Sequence, residues 1–266
     1  MPNWLYTYPD EIIVAIFSLI AAASVPMAAT ARWCLAQIVG HGTLDQIKEN
    51  DEFLMTVRGT LFSMCSLVLA FSLVAVFTNY NRADGAATAE ASMINNMDRL
   101  LVRYGDPQVA TIRASLHAYT KSIVEDEWLL LPKGHGSEKT ASLFVPVSRS
   151  VIAIHPDSGR QSVIYTELVK KSDDLAEARE ARLESTSTGL APVFWLMMSI
   201  IFVAQMLLTV FVDLNVIRIF GYTVQLAVFG SLLSVVFIFD MPFNGQTAVN
   251  STAFVKVLAT MQARDQ

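Results

Sequence analysis

Long runs of uncharged residues divide the chain into four strongly apolar stretches. Each lacks Asp, Glu, Lys and Arg for at least 20 residues, and together they cover Ile12–Ala31, Gly59–Asn81, Ser185–Val212 and Ile219–Phe239. At ~1.5 Å per residue, a helix of this length crosses the ~30 Å hydrocarbon layer of a bilayer. The pattern predicts an all-α integral membrane protein with four transmembrane helices and the lipid bilayer as its surroundings.

The segment between the second and third stretches has helical periodicity and no alternation typical of strands. Pro107 is a good helix start, and apolar residues then recur at three- and four-residue spacing up to Trp128. We expect further helices at about 138–154 and 161–185, and a continuation of the second span into 84–104. The predicted domains are a transmembrane hairpin at 1–82 (spans 12–31 and 59–81), a helical extramembrane domain at 83–188, a second hairpin at 189–240 (spans 190–212 and 217–239) and a tail at 241–266.

Composition and charge agree with a membrane protein. Hydrophobic residues make up 53% of the chain and charged residues 16%, whereas about a quarter of the residues of soluble domains are charged. Of the 43 charged residues (19 plus 24), 13 basic and 15 acidic ones lie between Asn79 and Gly189, so that segment faces water. Its mixed signs provide no basic surface for nucleic acid.

Cysteine and histidine usage predicts neither a disulfide nor a metal site. Cys34 ends the first span and Cys65 lies inside the second, where a small buried thiol is the ordinary role. The four histidines lack the spacing of a metal site, so no metal or cofactor is expected.

The first span resembles a secretory signal only in its Ala29-Thr30-Ala31 triplet. Its amino-terminal flank has no Lys or Arg and contains Asp10 and Glu11, and its apolar run exceeds the ~7–15 residues of a signal peptide. We therefore expect a retained transmembrane helix.

One side of the second span carries mostly small and hydroxyl-bearing residues. At helical spacing it presents Gly59, Ser63, Ser66, Ala70, Val74 and Phe77. Such a stripe suits close helix packing in lipid. It also suits the wall of a conduit, in which Val74 or Phe77 forms an apolar constriction that gates by dewetting. Both interpretations remain open at this point.

The third and fourth spans are joined by so few residues that they must form an antiparallel hairpin. Asp213 and Arg218 would then lie near the same interface, where a mutual salt bridge is the simplest assignment. Basic residues in short loops favour the cytoplasmic side. The two short loops contain four basic residues (Arg32, Lys48, Arg58 and Arg218), and the tails contain two. This difference places the short loops in the cytoplasm and both termini and the helical domain outside it.

Several blocks of residues resemble the bacterial bestrophin-like family known as DUF4239. The first runs from Phe71 through Asn79, Tyr80 and Ala83 to Glu90-Ala91. The other blocks, in the same order and spacing as the family, are Tyr119 with Glu127-Trp128, then Arg179 and Arg182-Leu183 ahead of Pro192 and Trp195, and finally Asp240 with Pro242, Phe243 and Gly245. Met241 departs from the Arg that family members often have there.

The resemblance implies four spans, a helical domain between the second and third, and a homo-oligomeric anion channel in the inner (plasma) membrane of a bacterium. It also implies a cytosolic domain and cytosolic termini, opposite to the placement from basic residues. No acidic calcium clasp is evident in the sequence. Because likeness of fold does not fix function, the resemblance carries an expectation only.

Three functions are compatible with the sequence to different degrees. The first is a passive channel for an inorganic ion, because no span has a central charge of the kind that coupled transporters use. The second is a non-transporting scaffold or sensor, with a partner surface at Asn79, Tyr80, Arg82, Glu127, Trp128 and Arg182. The alternative for these residues is structural, with Glu127 and Arg182 paired inside the domain and Trp128 in its core. An enzyme is the least supported, since no converging carboxylates and nucleophile are evident.

Overall fold

The computed structural model describes residues 3–39, 50–212 and 214–264. Within these ranges the chain contains helices and no strand. The α-helices are α1 (Asp10–Val39), α2 (Asp51–Tyr104), α3 (Gln108–Ser122), α4 (Glu138–Ile152), α5 (Gly159–Glu184), α6 (Pro192–Phe211), α7 (Val216–Asp240) and α8 (Thr252–Ala263). A π-helical turn at Ile123–Glu127 follows α3, and short 3-10 turns lie at Asn3–Thr7, Leu131–Lys133 and Ser185–Ser187.

Four helical segments are long and apolar enough to cross a membrane. To within one residue, they contain the four stretches that the hydrophobic pattern predicted, so the all-α, four-span fold is confirmed. The second of them, α2, is a single helix of 54 residues, which corresponds to about 80 Å. The expected continuation of the second span into 84–104 is therefore confirmed.

The chain forms two compact units. The first, here called the membrane unit, comprises Met1–Thr78, Gly189–Asp240 and Gly245–Thr247; the second, the helical unit, comprises Asn79–Thr188, Met241–Asn244 and Ala248–Gln266. Residues of α2 contribute to both.

Close helix packing defines the interior of the membrane unit. Its most extensive contact is between α1 and α7, and Gly230 of α7 has no room for a side chain. A Cβ atom there would lie 2.5 Å from the carbonyl oxygen of Phe17 and 2.9 Å from the Cβ of Ala21. The missing side chain lets the two backbones approach, as small residues commonly do in membranes.

The helical unit has an ordinary apolar core. Its fully buried side chains include residues of α2, α3 and α5, namely Ile94, Met97, Leu101, Leu116, Leu168 and Leu175. Residues 248–264, predicted only as a tail, contain α8, whose Phe254, Val257 and Met261 are also buried in this core. Their three- and four-residue spacing was the sequence signal for this helix.

The predicted salt bridge between Arg218 and Asp213 stays a prediction. The Arg218 guanidinium lies 2.8 Å from the Asp51 carboxylate, while Asp213 lies outside the described residues. The two cysteines are free, Cys34 exposed and Cys65 buried.

Candidate functional site

The proposed stripe on α2 is exposed in the single chain. Ser63 and Ala70 are exposed, Val74 and Phe77 are 65% and 49% exposed, and Ser66 is half-buried. The Ser66 hydroxyl donates to the carbonyl oxygen of Phe62 at 2.9 Å. Packing within this chain therefore leaves most of the stripe uncovered.

A different face of α2 packs inside the membrane unit. Cys65, Leu69 and Val76 are each no more than 2% exposed. At about 100° of rotation per residue, they lie roughly 100–140° around the helix from Ala70. On the other side of the stripe, bulky apolar residues are exposed, namely Met64, Leu67 and Phe71. The helix thus has a buried face, a small and partly polar face, and a bulky apolar face.

The second candidate site is a charged cluster inside the helical unit, centred on Arg182. Its Nε donates to Glu90 Oε2 at 2.5 Å, and its Nη2 donates to Glu127 Oε1 at 2.5 Å. Arg182, Glu90 and Glu127 are all fully buried. The Tyr119 hydroxyl donates to Glu90 Oε1 at 2.7 Å. Arg182 thus joins α5 to α2 and to the π-helical turn.

Glu127 has further donors on its other oxygen. Arg179 Nη2 and the backbone N–H of Ser137 donate to Glu127 Oε2 at 2.6 and 3.0 Å. The π-helical turn closes where the Trp128 N–H bonds the carbonyl oxygen of Ile123 at 2.9 Å. Such turns are rare and often occur at functional positions.

Aromatic rings flank the same cluster. The guanidinium carbon of Arg182 lies 5.7 Å from the ring centroids of both Trp128 and Phe254. Trp128 also contacts Phe243, at 5.8 Å between ring centroids. Four dispersed sequence blocks therefore meet in this cluster, although their residues are far apart in the chain.

The electrostatics of the cluster favour the ionised form of Glu127 and the protonated form of Tyr119. Burial opposes the charge of Glu127, but Arg182, Arg179 and the Ser137 N–H together lower its pKa below the ordinary value. Burial and then the charge of Glu90 raise the pKa of Tyr119 well above its ordinary value, so its hydroxyl stays protonated and donates. The cluster contains two carboxylates and two guanidiniums, so it carries equal numbers of acidic and basic groups, all of them paired.

This arrangement bears on the predicted partner surface. Glu127 and Arg182 are enclosed in the helical unit, Trp128, Tyr80 and Asn79 are half-buried, and Arg82 is exposed. The acidic run at 125–127 spreads its side chains over exposed, half-buried and buried positions, as expected for consecutive residues on a helix. The strongest charges of the predicted surface are therefore unavailable to a partner.

The last motif block forms a turn after α7. The buried Asp240 carboxylate accepts the backbone N–H of Leu190 at 2.6 Å. The Pro242 carbonyl oxygen accepts the N–H of Val249 at 2.8 Å. Gly245 has φ +87°, a left-handed conformation that favours glycine. These residues shape the turn that follows α7.

Two further polar clusters were missed by the sequence analysis. In the helical unit, buried Asp98 accepts from Arg113 at 2.8 Å and from Arg264 at 2.6 Å. In the membrane unit, Arg58 is buried with Gln205 and Gln225. A single glutamine within each of the third and fourth spans was the available signal. Among the described residues, no group of His, Cys, Asp or Glu is arranged to hold a metal ion.

Solved structures with the same fold include a bacterial bestrophin homologue from Klebsiella pneumoniae. One structure, phased by Zn-SAD, has a TM-score of 0.70 and 14% identity and covers 94% of this chain and 97% of that chain. A mutant of the homologue from the same organism has a TM-score of 0.70 and 13% identity, with 95% and 98% covered. At such identities the likeness establishes the fold.

Sequence comparison supplies the family. Among curated proteins, none matches the chain. The model of the Bestrophin-like domain matches residues 22–254, which is most of the chain. The chain therefore belongs to the bestrophin-like family.

Proposed function

We propose that the chain is the subunit of a homo-oligomeric, passive ion channel in the inner membrane of a bacterium. In this proposal α2 of each subunit lines a central pore with Ser63, Ser66, Ala70, Val74 and Phe77. The observation that carries it is that the face of α2 bearing hydroxyl and small side chains is exposed in the single chain, whereas its apolar face at Cys65, Leu69 and Val76 is packed.

That distribution is unfavourable for a lone subunit surrounded by lipid. Polar side chains in membrane helices ordinarily face the bundle interior or a water-filled cavity. The exposed bulky face of α2 suits lipid or a neighbouring subunit, while the stripe suits water. A closed ring of copies would give each stripe an aqueous environment and would place Val74 and Phe77 at an apolar constriction.

The orientation of the helical unit and the permeant ion are parts of the proposal that the fold leaves open. We retain the non-cytoplasmic placement of the termini and helical unit that the basic residues favour, against the cytosolic placement that the family implies. A reporter fused after residue 264 distinguishes the two placements directly.

Thiol modification tests the pore on neighbouring positions of one helix. Ser63→Cys and Met64→Cys, each in a Cys34→Ser background, introduce exposed thiols about 100° apart around α2. A charged, water-soluble thiol reagent is expected to block ion flux through liposomes containing the Ser63→Cys protein and to leave the Met64→Cys protein conducting.

Ser66→Leu provides a second test that needs no chemical modification. The added branched side chain at the edge of the stripe is expected to abolish flux, since the hydroxyl contributes to the only polar part of that face. Unchanged flux in Ser66→Leu, together with equal block of the two cysteine variants, would overturn the assignment of α2. No flux from folded, oligomeric protein under chloride or potassium gradients would overturn the channel itself and favour a scaffold or sensor.

A further inference from the structure

Arg58 is a guanidinium almost completely buried within the membrane unit, with 4% of the residue exposed. Its Nη2 donates to Gln225 Oε1 at 3.1 Å, and its guanidinium carbon lies 3.2 Å from the ring centroid of Tyr222. The backbone carbonyl oxygen of Arg58 accepts from Gln205 Nε2 at 3.1 Å. Arg58 therefore meets α6 and α7 from its position on α2.

Neutral groups surround this charge. Among the residues that the structure describes, Arg58 forms no ion pair with a carboxylate, and the Asp51 carboxylate on the same helix is paired with Arg218. The Nε of Arg58 and the Oε1 of Gln205 are buried without a hydrogen-bond partner. An amide and an aromatic ring solvate a cation, but they do not cancel its charge.

The charge lies close to the first residue of the proposed pore stripe. Arg58 precedes Ser63 by five residues, about 7.5 Å along the helix axis, and occupies the packed side of α2 with Cys65 and Leu69. In surroundings of low dielectric constant, a fixed charge acts over longer distances than it does in water. Anions near this end of the stripe are therefore attracted and cations repelled.

We propose that Arg58 is a selectivity-determining residue whose positive charge, which no carboxylate of the described residues neutralises, makes the pore favour inorganic anions over cations. The inference rests on the proposed function of α2 as the pore helix. Arg58 acts through its field from behind the pore wall, without contact with the permeating ion. The amide of Gln225 and the ring of Tyr222 hold the guanidinium in place without carrying a charge that cancels its own.

The test is the reversal potential of the purified full-length protein in planar bilayers under a potassium chloride gradient. Wild-type protein is expected to be anion-selective. Arg58→Gln is expected to lower the chloride-to-potassium permeability ratio by at least about fivefold, because loss of a unit charge at ~12–15 Å raises the energy of the anion and lowers that of the cation. Arg58→Lys keeps the charge and is expected to retain most of the selectivity.

Gln225→Glu separates charge from packing. It places a carboxylate within 3.1 Å of the guanidinium and neutralises Arg58 while the arginine stays in place, so the permeability ratio is expected to fall as in Arg58→Gln. Gln37→Glu adds the same charge at an exposed position of α1 and is expected to leave the ratio near the wild-type value.

The possible results have distinct meanings. Conduction with an unchanged ratio in both Arg58→Gln and Gln225→Glu would overturn the role of Arg58 and leave the channel standing. Cation selectivity of the wild-type protein would do the same. Absence of flux from every version would overturn the channel, and the inference with it. Should Arg58→Gln fail to fold, Gln225→Glu still decides.

Discussion

Arg182 in the helical unit and Arg58 in the membrane unit are both nearly inaccessible, with 0% and 4% exposure. Arg182 is bonded to two carboxylates, Glu90 and Glu127, each at 2.5 Å. Arg58 has an amide and an aromatic ring as side-chain partners. The helical unit neutralises its buried charge, whereas the described residues of the membrane unit supply no carboxylate to Arg58.

The difference teaches what each unit loses when its arginine is removed. The stability of a buried ion cluster depends on all of its members, because loss of one leaves the opposite charges unpaired in the protein interior. At Arg58, no described carboxylate would be left unpaired by removal of the arginine. The contrast suggests a structural role for Arg182 and an electrostatic role for Arg58.

The most damaging substitution is expected to be Arg182→Gln. It leaves the buried carboxylates of Glu90 and Glu127 without their shared guanidinium, and breaking a buried pair in this way typically costs about 3–5 kcal/mol. Thermal unfolding of the detergent-solubilised protein measures the loss. Arg58→Gln in the same assay is expected to cost clearly less. Equal losses from the two variants would contradict the contrast between the units.

Gly230→Ala is expected to have the next largest effect, and it tests packing in the membrane unit apart from charge. The new methyl group would lie 2.5 Å from the Phe17 carbonyl oxygen, so α1 and α7 must separate, at a typical overpacking cost of about 1–3 kcal/mol. Gly221→Ala on the same helix is the matched control, since no atom lies within 4 Å of a Cβ there. Similar unfolding temperatures for both variants would show that the close approach is dispensable.

The smallest expected effect concerns acid stability. Because the folded protein holds the pKa of Glu127 below its ordinary value, its contribution is complete above that value and is lost as the pH falls through the folded pKa. Unfolding temperatures should therefore decline below about pH 4. Glu127→Gln is expected to flatten this decline, whereas Arg58→Gln should leave it as steep as in the wild type. A decline of wild-type steepness in Glu127→Gln would remove Glu127 from the acid response.

The sequence carried part of the information about the charged cluster. Glu90, Glu127, Trp128 and Arg182 belong to the blocks that resembled the family, and an internal pair between Glu127 and Arg182 was a stated alternative to a partner surface. Burial decided between the two. The hydrogen bonds from Tyr119 to Glu90 and from Arg179 to Glu127 join residues that are 29 and 52 positions apart in the chain, and local spacing contains no such information.

The stripe on α2 also shows what sequence periodicity cannot predict. Helical periodicity places Ser63, Ala70 and Val74 on one face, but it does not say whether that face is packed, and the structure leaves it exposed. Arg58 was counted in the sequence only as a basic loop residue. Its burial arises because α2 begins at Asp51 and places Arg58 against Gln205 and Gln225.

The sequence by itself determined the compartment, the four spans, the helical class of the intervening segment and the family, because uncharged length and helical period are local properties of the chain. Tertiary structure alone decided which charges are paired. Pairing requires side chains from distant helices to be enclosed together, and the free energy of a buried charge depends on the groups that enclose it. The same residue type is therefore paired with two carboxylates at Arg182 and, among the described residues, with neutral groups at Arg58.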